Sequence, residues 1–265
     1  MSPNAPLYIA VVLYACASLV TLISLVRREQ ILQRFSFLVA IGGFIAHTIW
    51  IGIICTRTQH PPLTNLPEAC AFIAWTLMAI EIGVYLRYRI HAASFFVYPL
   101  VVLLLSITAI VREPFAHLEP SLRSNLFLAH LLFTTVGVAG LLIALIFALL
   151  YRLQERSIKS KSRGAFYDWI PSLQMCDLLS YRSLAIGFSL YTIGIVTGAL
   201  WSYRTNAGVL SLLRAKELGA LVAWMLFAIL LQSYLNGTFR TQKNVIISAA
   251  AFLSIVVAIL GIHRV

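Results

Sequence analysis

The chain has 265 residues, of which 60% are hydrophobic and only 11% charged, with 20 Lys and Arg against 9 Asp and Glu and a formal net charge of +11. A mean hydropathy of +0.90 excludes an ordinary soluble domain, in which about a quarter of the residues are charged to wet the surface. The basic surplus calls for no nucleic-acid partner: no basic stripe with interleaved aromatics occurs, and loops facing anionic lipid of the bilayer account for it.

Eight apolar runs approach the ~20 residues that cross a hydrocarbon core, at roughly 7–26, 36–56, 69–87, 94–111, 126–151, 181–203, 217–235 and 244–262. Backbone polar groups in lipid must be satisfied within their own segment, so each run predicts a helix. The expected fold class is all-α, a polytopic transmembrane bundle of about eight helices forming a single membrane domain over 1–265. The first run has no basic residue before it and ends on Arg27 and Arg28 without a small-residue cleavage site, so it reads as a retained helix. The connections after the first, third, fifth and seventh runs hold most of the basic residues, among them Arg27, Arg28, Arg87, Arg89, Arg152 to Arg163, Arg240 and Lys243. By the positive-inside rule those connections are cytoplasmic and both termini are non-cytoplasmic. The expected location is the cell inner (plasma) membrane, crossed several times.

In chain order, the first polar residue that the membrane does not excuse is His47, near the middle of the second run, followed by Glu81 near the middle of the third. Ionisable side chains at that depth are costly enough to count as functional hypotheses. The two could share a hydrogen bond between neighbouring helices, or serve as a haem ligand or a proton relay. Between them Pro61, Pro62 and Pro67 predict a stiff extended connection over Arg57 to Glu68, flanked by Cys55 and Cys70, which are either bridged or free thiols. His130 falls in the first turns of the fifth helix, after a possible cap at Ser124 or Asn125. Gly137 and Gly140 on this helix, and Gly194 and Gly198 on the sixth, have the spacing of small residues that allow close helix contact. The connection from Arg152 to Ser180 reads as a basic cytoplasmic loop. The sixth helix ends at Trp201 and Tyr203, and His263 lies in the last turn of the eighth. The topology therefore brings His130, Trp201, Tyr203 and His263 to one non-cytoplasmic end, where neutral imidazoles suit iron ligation. No His-x-x-His, Cys-x-x-Cys or His-Glu-x-x-His spacing occurs, which argues against a structural zinc or a zinc protease.

Tyr181-Arg182, Gly187-Phe188, Thr192, Gly194, Gly198 and Trp201 together resemble the helix that leads into the tryptophan-rich segment of the cytochrome c assembly family, the CcsA-type membrane proteins and their HemX-like relatives. The likeness extends more loosely over 125–265. It implies an external loop supporting one face of a b-type haem and two external histidines as axial ligands. His130, in Leu128-Ala129-His130-Leu131-Leu132, matches the first, and His263, in Leu260-Gly261-Ile262-His263, the second. His47 is similar to a histidine in the second helix of HemX-like members. Where the family carries its tryptophan-rich sequence this chain reads Ser211-Leu212-Leu213-Arg214-Ala215-Lys216-Glu217-Leu218-Gly219, keeping Lys216, Glu217 and, further on, Trp224. An intramembrane histidine expected about eight residues later is Gln232. The degenerate segment still offers apolar contact to a porphyrin, with Arg214 or Lys216 against propionates, and it equally fits an interfacial amphipathic stretch without a ligand.

By this resemblance the chain is a haem-handling membrane protein of cytochrome c biogenesis without independent catalytic activity. It would hold haem transiently at its external face and work with an apocytochrome c and a membrane partner subunit that has a large external domain. The alternative is a non-catalytic HemX-like regulator or scaffold of haem biosynthesis, contacting a soluble enzyme through the basic stretch Arg152 to Arg163. A transporter using His47 and Glu81 would need broken helices or an inverted repeat, which the sequence does not show.

Overall fold

The computed structural model describes residues 4–27, 29–63, 65–111, 124–160, 169–204, 215–236 and 242–260. Among them there are eight helices and no strand: α1 (Ala5–Arg27), α2 (Gln30–Thr58), α3 (Leu66–Tyr88), α4 (Ser94–Ile110), α5 (Asn125–Lys159), α6 (Leu173–Arg204), α7 (Ala215–Leu235) and α8 (Gln242–Leu260). Every apolar run is a helix. Six of the helices contain stretches long and apolar enough to cross a membrane, and α4, with 17 residues, is at the lower limit of a span.

Several ends lie well outside the apolar runs. Hydropathy marks where lipid begins, whereas the i to i−4 ladder continues into the polar interface until something stops it. At 1.5 Å per residue, α5 and α6 are about 52 and 48 Å long, against a hydrocarbon core of about 30 Å. The expected loop beginning at Arg152 is therefore corrected: residues 152–159 are the last two turns of α5, with Lys159 Nζ bonded to Glu155 Oε1 at 2.7 Å across one turn. Residues 161–168, the rest of the basic stretch, lie outside the described residues. The proline-rich connection is also shorter than expected. Arg57 and Thr58 belong to α2, and α3 starts at Leu66 with Pro67 in its first turn, where a missing N–H leaves no bond unmade. Asn65 caps α3 by accepting from Glu68 N at 2.9 Å, while its side-chain amide donates to Glu68 Oε1 at 3.2 Å. Gln59 and Arg89, both in the left-handed region, close α2 and α3. All four cysteines are unbridged.

Packing divides the chain into two compact units, Met1–Leu118 with Leu153–Leu173, and Glu119–Arg152 with Gln174–Val265. In the first, α1 buries Leu7, Ala10, Tyr14, Ala17, Thr21 and Ser24 at alternating three- and four-residue steps against Ser36, Ala40, Gly43, His47 and Trp50 of α2. Small residues let the backbones approach, and Thr21 Oγ1 and Ser36 Oγ join across the seam at 2.6 Å. The Tyr14 ring lies on Gly43, where a methyl group would come within 2.9 Å of it. The expected pairing of His47 with Glu81 is not formed: Glu81 Oε1 accepts from Ser94 Oγ of α4 at 2.5 Å, and neither nitrogen of His47 has a hydrogen-bond partner. Sequence adjacency of α2 and α3 misleads here, because α3 packs mainly on α4.

In the second unit, α5 and α6 run antiparallel with their glycines interleaved. A methyl group on Gly137 would stand 2.6 Å from the Tyr191 backbone nitrogen, and one on Gly187 would stand 2.8 Å from that of Leu141. Ser180 Oγ donates to Ala144 O at 3.0 Å further along. Helix α7 joins α6 through Trp224 Nε1, which donates to Thr192 Oγ1 at 2.9 Å, and through Tyr191 Oη, which donates to Ala220 O at 3.2 Å.

Candidate functional site

Ser124 starts α5 by accepting from Phe127 N at 3.1 Å, which sets His130 in the second turn. From there the imidazole reaches across the glycine seam to α6. Its Nδ1 lies 2.7 Å from the Gly194 carbonyl, with Thr134 Oγ1 at 3.4 Å. A carbonyl oxygen only accepts, so Nδ1 carries the proton and Nε2 is the nitrogen with the lone pair. The ring fits because residue 198 is glycine: a methyl group there would come 2.5 Å from Nδ1 and 2.8 Å from Cε1. One turn further out, Trp201 packs on Phe127 with ring centroids 4.9 Å apart and planes tilted by 44°. Tyr203, 81% exposed, and Arg204 end the helix.

Three of the residues expected to form the site thus share one end of the α5–α6 pair, namely His130, Trp201 and Tyr203. His263 and Arg214 lie outside the described residues, and Lys216 is in the first turn of α7, with its side chain likewise outside them. His47 belongs to the other unit, fully buried between Tyr14 and Trp50, at centroid distances of 6.3 and 6.2 Å. Trp224 sits in the middle of α7, stacked on Phe188 at 5.6 Å, and helps hold α7 against α6. Gln232 is on the exposed side of the same helix, with Nε2 donating to Asn236 Oδ1 at 3.4 Å.

The donor set suits haem. A histidine that ligates a metal commonly donates its second N–H to a carbonyl, which fixes the tautomer and ring angle and raises the basicity of the ligating nitrogen. His130 has this arrangement, and Trp201 packed on Phe127 adds aromatic surface at the same end of the helix pair. Among the described residues no group of three His, Cys, Asp or Glu side chains could hold a bare metal ion. Sequence reasoning missed the Gly194 carbonyl, Phe127 and Thr134. The signal for the first was present in the two glycine pairs, which allow backbone and ring to meet.

Residues 63–265 match the family described as Cytochrome C assembly protein. The chain is also similar to "Cytochrome c biogenesis protein CcsA" of Guillardia theta, 26% identical over 238 residues covering 83% of this chain and 79% of that one. It is 25% identical over 260 residues to the protein of the same name from Mesostigma viride, covering 89% and 85%. The protein so named from Prochlorococcus marinus (strain MIT 9301) is 25% identical over 227 residues, covering 77% and 73%. The matched region begins just before α3 and includes His130, Trp201 and His263, while His47 precedes it. The chain belongs to the cytochrome c assembly protein family.

Proposed function

We propose that this membrane protein works in cytochrome c biogenesis by taking haem as cargo at the end of the α5–α6 pair that carries His130 and Trp201. The observation that carries the reading is the bond between His130 Nδ1 and the Gly194 carbonyl, which sets the tautomer that has its lone pair on Nε2. His130 and His263 would hold the haem iron. Trp201 and Tyr203, with Phe127, support the porphyrin, and Arg214 and Lys216 pair with the propionates. Bound haem supplies iron that accepts neutral imidazole nitrogens and vinyl groups that accept cysteine thiols. The part of this chain is to bind and orient it: the carbonyl holds the proton on Nδ1 and the ring aimed, and the aromatic rings shield one face from water.

The relatives named above are called cytochrome c biogenesis proteins, and this reading extends that role to the present chain. An apocytochrome c is the acceptor, and a membrane subunit with a large external domain works beside it. The charge bias of the connections supports a site on the non-cytoplasmic side of the inner (plasma) membrane. The test is the absorption spectrum of protein purified in mild detergent from haem-replete cells. A Soret band that is lost on His130→Ala, and restored to His130→Gly by added imidazole, supports the assignment; colourless wild-type protein sinks it.

A further inference from the structure

The first unit contains a file of buried polar side chains that the proposed haem site does not use. Counted along the helices from the end where α1 begins, Glu68, Trp50, Tyr14, His47, Tyr98 and Glu81 lie at depths of about 3, 12, 14, 17, 18 and 23 Å. None of the six is more than 1% exposed. The contacts run from Trp50 to His47 and from His47 to Tyr14. A cavity of about 130 Å³ is lined by Asn4, Tyr8, Trp50, Asn65, Glu68 and Thr108 among others, room for several waters. Trp50 Nε1 donates to Asn4 Oδ1 at 3.4 Å, and the Trp50 ring faces His47 at 6.2 Å. His47 meets Tyr14 edge-on at 6.3 Å, α1 packs against α4, which carries Tyr98, and Ser94, one turn before Tyr98 on α4, donates to Glu81 Oε1. One turn beyond Glu81, Tyr85 packs on His91 with ring centroids 4.4 Å apart, in the connection before α4.

Four atoms of this file, Tyr14 Oη, both nitrogens of His47 and Glu81 Oε2, are buried without a hydrogen-bond partner. In a membrane interior such atoms are expensive to keep, and four in one file, in the same unit, are not explained by packing. All of them can accept or pass a proton, and bridging water would find its partners among them.

We propose that the first unit is a proton relay, connecting the cavity beside Glu68 to His91 through His47, Tyr14, Tyr98 and Glu81. Charge balances at every transfer. As one nitrogen of His47 takes a proton the other releases one, and each phenol accepts a proton on its oxygen while passing on its own. Glu81 takes the proton at Oε2 and releases it toward Tyr85 and His91, with water closing the gaps and nothing oxidised or reduced. Trp50, a donor only, is a wall of the path and carries nothing. At the far end burial, and then the charge of Arg34, hold the His91 imidazole down to about 4, so a proton that reaches it is passed on and not kept. Arg89 stands over the neighbouring Tyr85 ring.

The test uses the full chain in phosphatidylcholine–phosphatidylglycerol vesicles containing a pH-sensitive dye, with a potassium gradient and valinomycin as the driving force. The expected result is proton entry clearly faster than in protein-free vesicles, with most of that excess lost in His47→Leu and in Glu81→Gln and none lost in the exposed Cys16→Ser. Tyr14→Phe removes one hydroxyl and keeps the packed ring, so it serves where His47→Leu does not fold, and it too should lose most of the flux. Wild-type flux equal to that of empty vesicles overturns the proposal. So does flux undiminished in the folded variants, or equal entry of sodium, which would mark a leak.

Discussion

The Gly198→Ala substitution separates ligand geometry from stability. The added methyl would lie 2.5 Å from His130 Nδ1, whereas ordinary contact begins near 3.4 Å, so the ring must retreat by about 0.9 Å. Movement of that size along the bond to Gly194 stretches it from 2.7 Å to about 3.6 Å, beyond hydrogen-bonding distance. Losing the bond costs about 0.5–1.5 kcal/mol, and replacing a mid-helix glycine by alanine returns about 0.8–1 kcal/mol, so the fold should change by less than about 1 kcal/mol. Ligation should suffer more. Removing the hydrogen bond that orients a ligating histidine typically weakens binding about 10–100-fold, or roughly 1.4–2.7 kcal/mol. The assay is haem titration of the detergent-solubilised protein followed at the Soret band, with thermal unfolding measured in parallel. Gly187→Ala is the comparison, because its methyl would strike the α5 backbone three turns away, where overpacking costs about 1–3 kcal/mol of stability. Wild-type haem affinity in Gly198→Ala, or an equal loss of affinity in folded Gly187→Ala, would refute the reasoning.

Two further outcomes follow from residues outside the site. Trp224→Phe removes the bond to Thr192 and should lower thermal stability by about 0.5–1.5 kcal/mol while leaving the Soret titration unchanged; altered haem affinity would contradict its assignment to packing. His91 is held below its ordinary value of 6.5, to about 4, by burial first and the Arg34 charge second. The unfolded chain therefore binds a proton that the folded chain refuses between those values, so stability is full above pH 6.5 and falls as the pH drops toward 4. Unfolding followed across that window should show this slope in the wild type and a shallower one in His91→Leu, and identical slopes would count against it.

The sequence announced the eight helices because in a bilayer hydropathy and backbone satisfaction point the same way, and both act over ~20 residues at a time. It was poorer at helix ends. Glu155 and Lys159 look like loop residues by polarity, yet four residues apart on a helix they neutralise each other and let α5 continue. Pairing between helices was legible only where small residues recorded it. Gly137, Gly140, Gly194 and Gly198 proved to be two sides of one seam, and the seam is what lets an imidazole on α5 reach a carbonyl on α6. His47 and Glu81 carried no such record. Both stood out as costly, but depth along a helix says nothing about direction around it, and α3 turned its carboxylate toward Ser94 of α4. The same gap explains Trp224, kept from the family pattern as an indole in sequence but placed by the phase of α7 against Phe188 and Thr192. A residue's cost in lipid was therefore readable from composition, while its partner was readable only where the backbone itself had to make room.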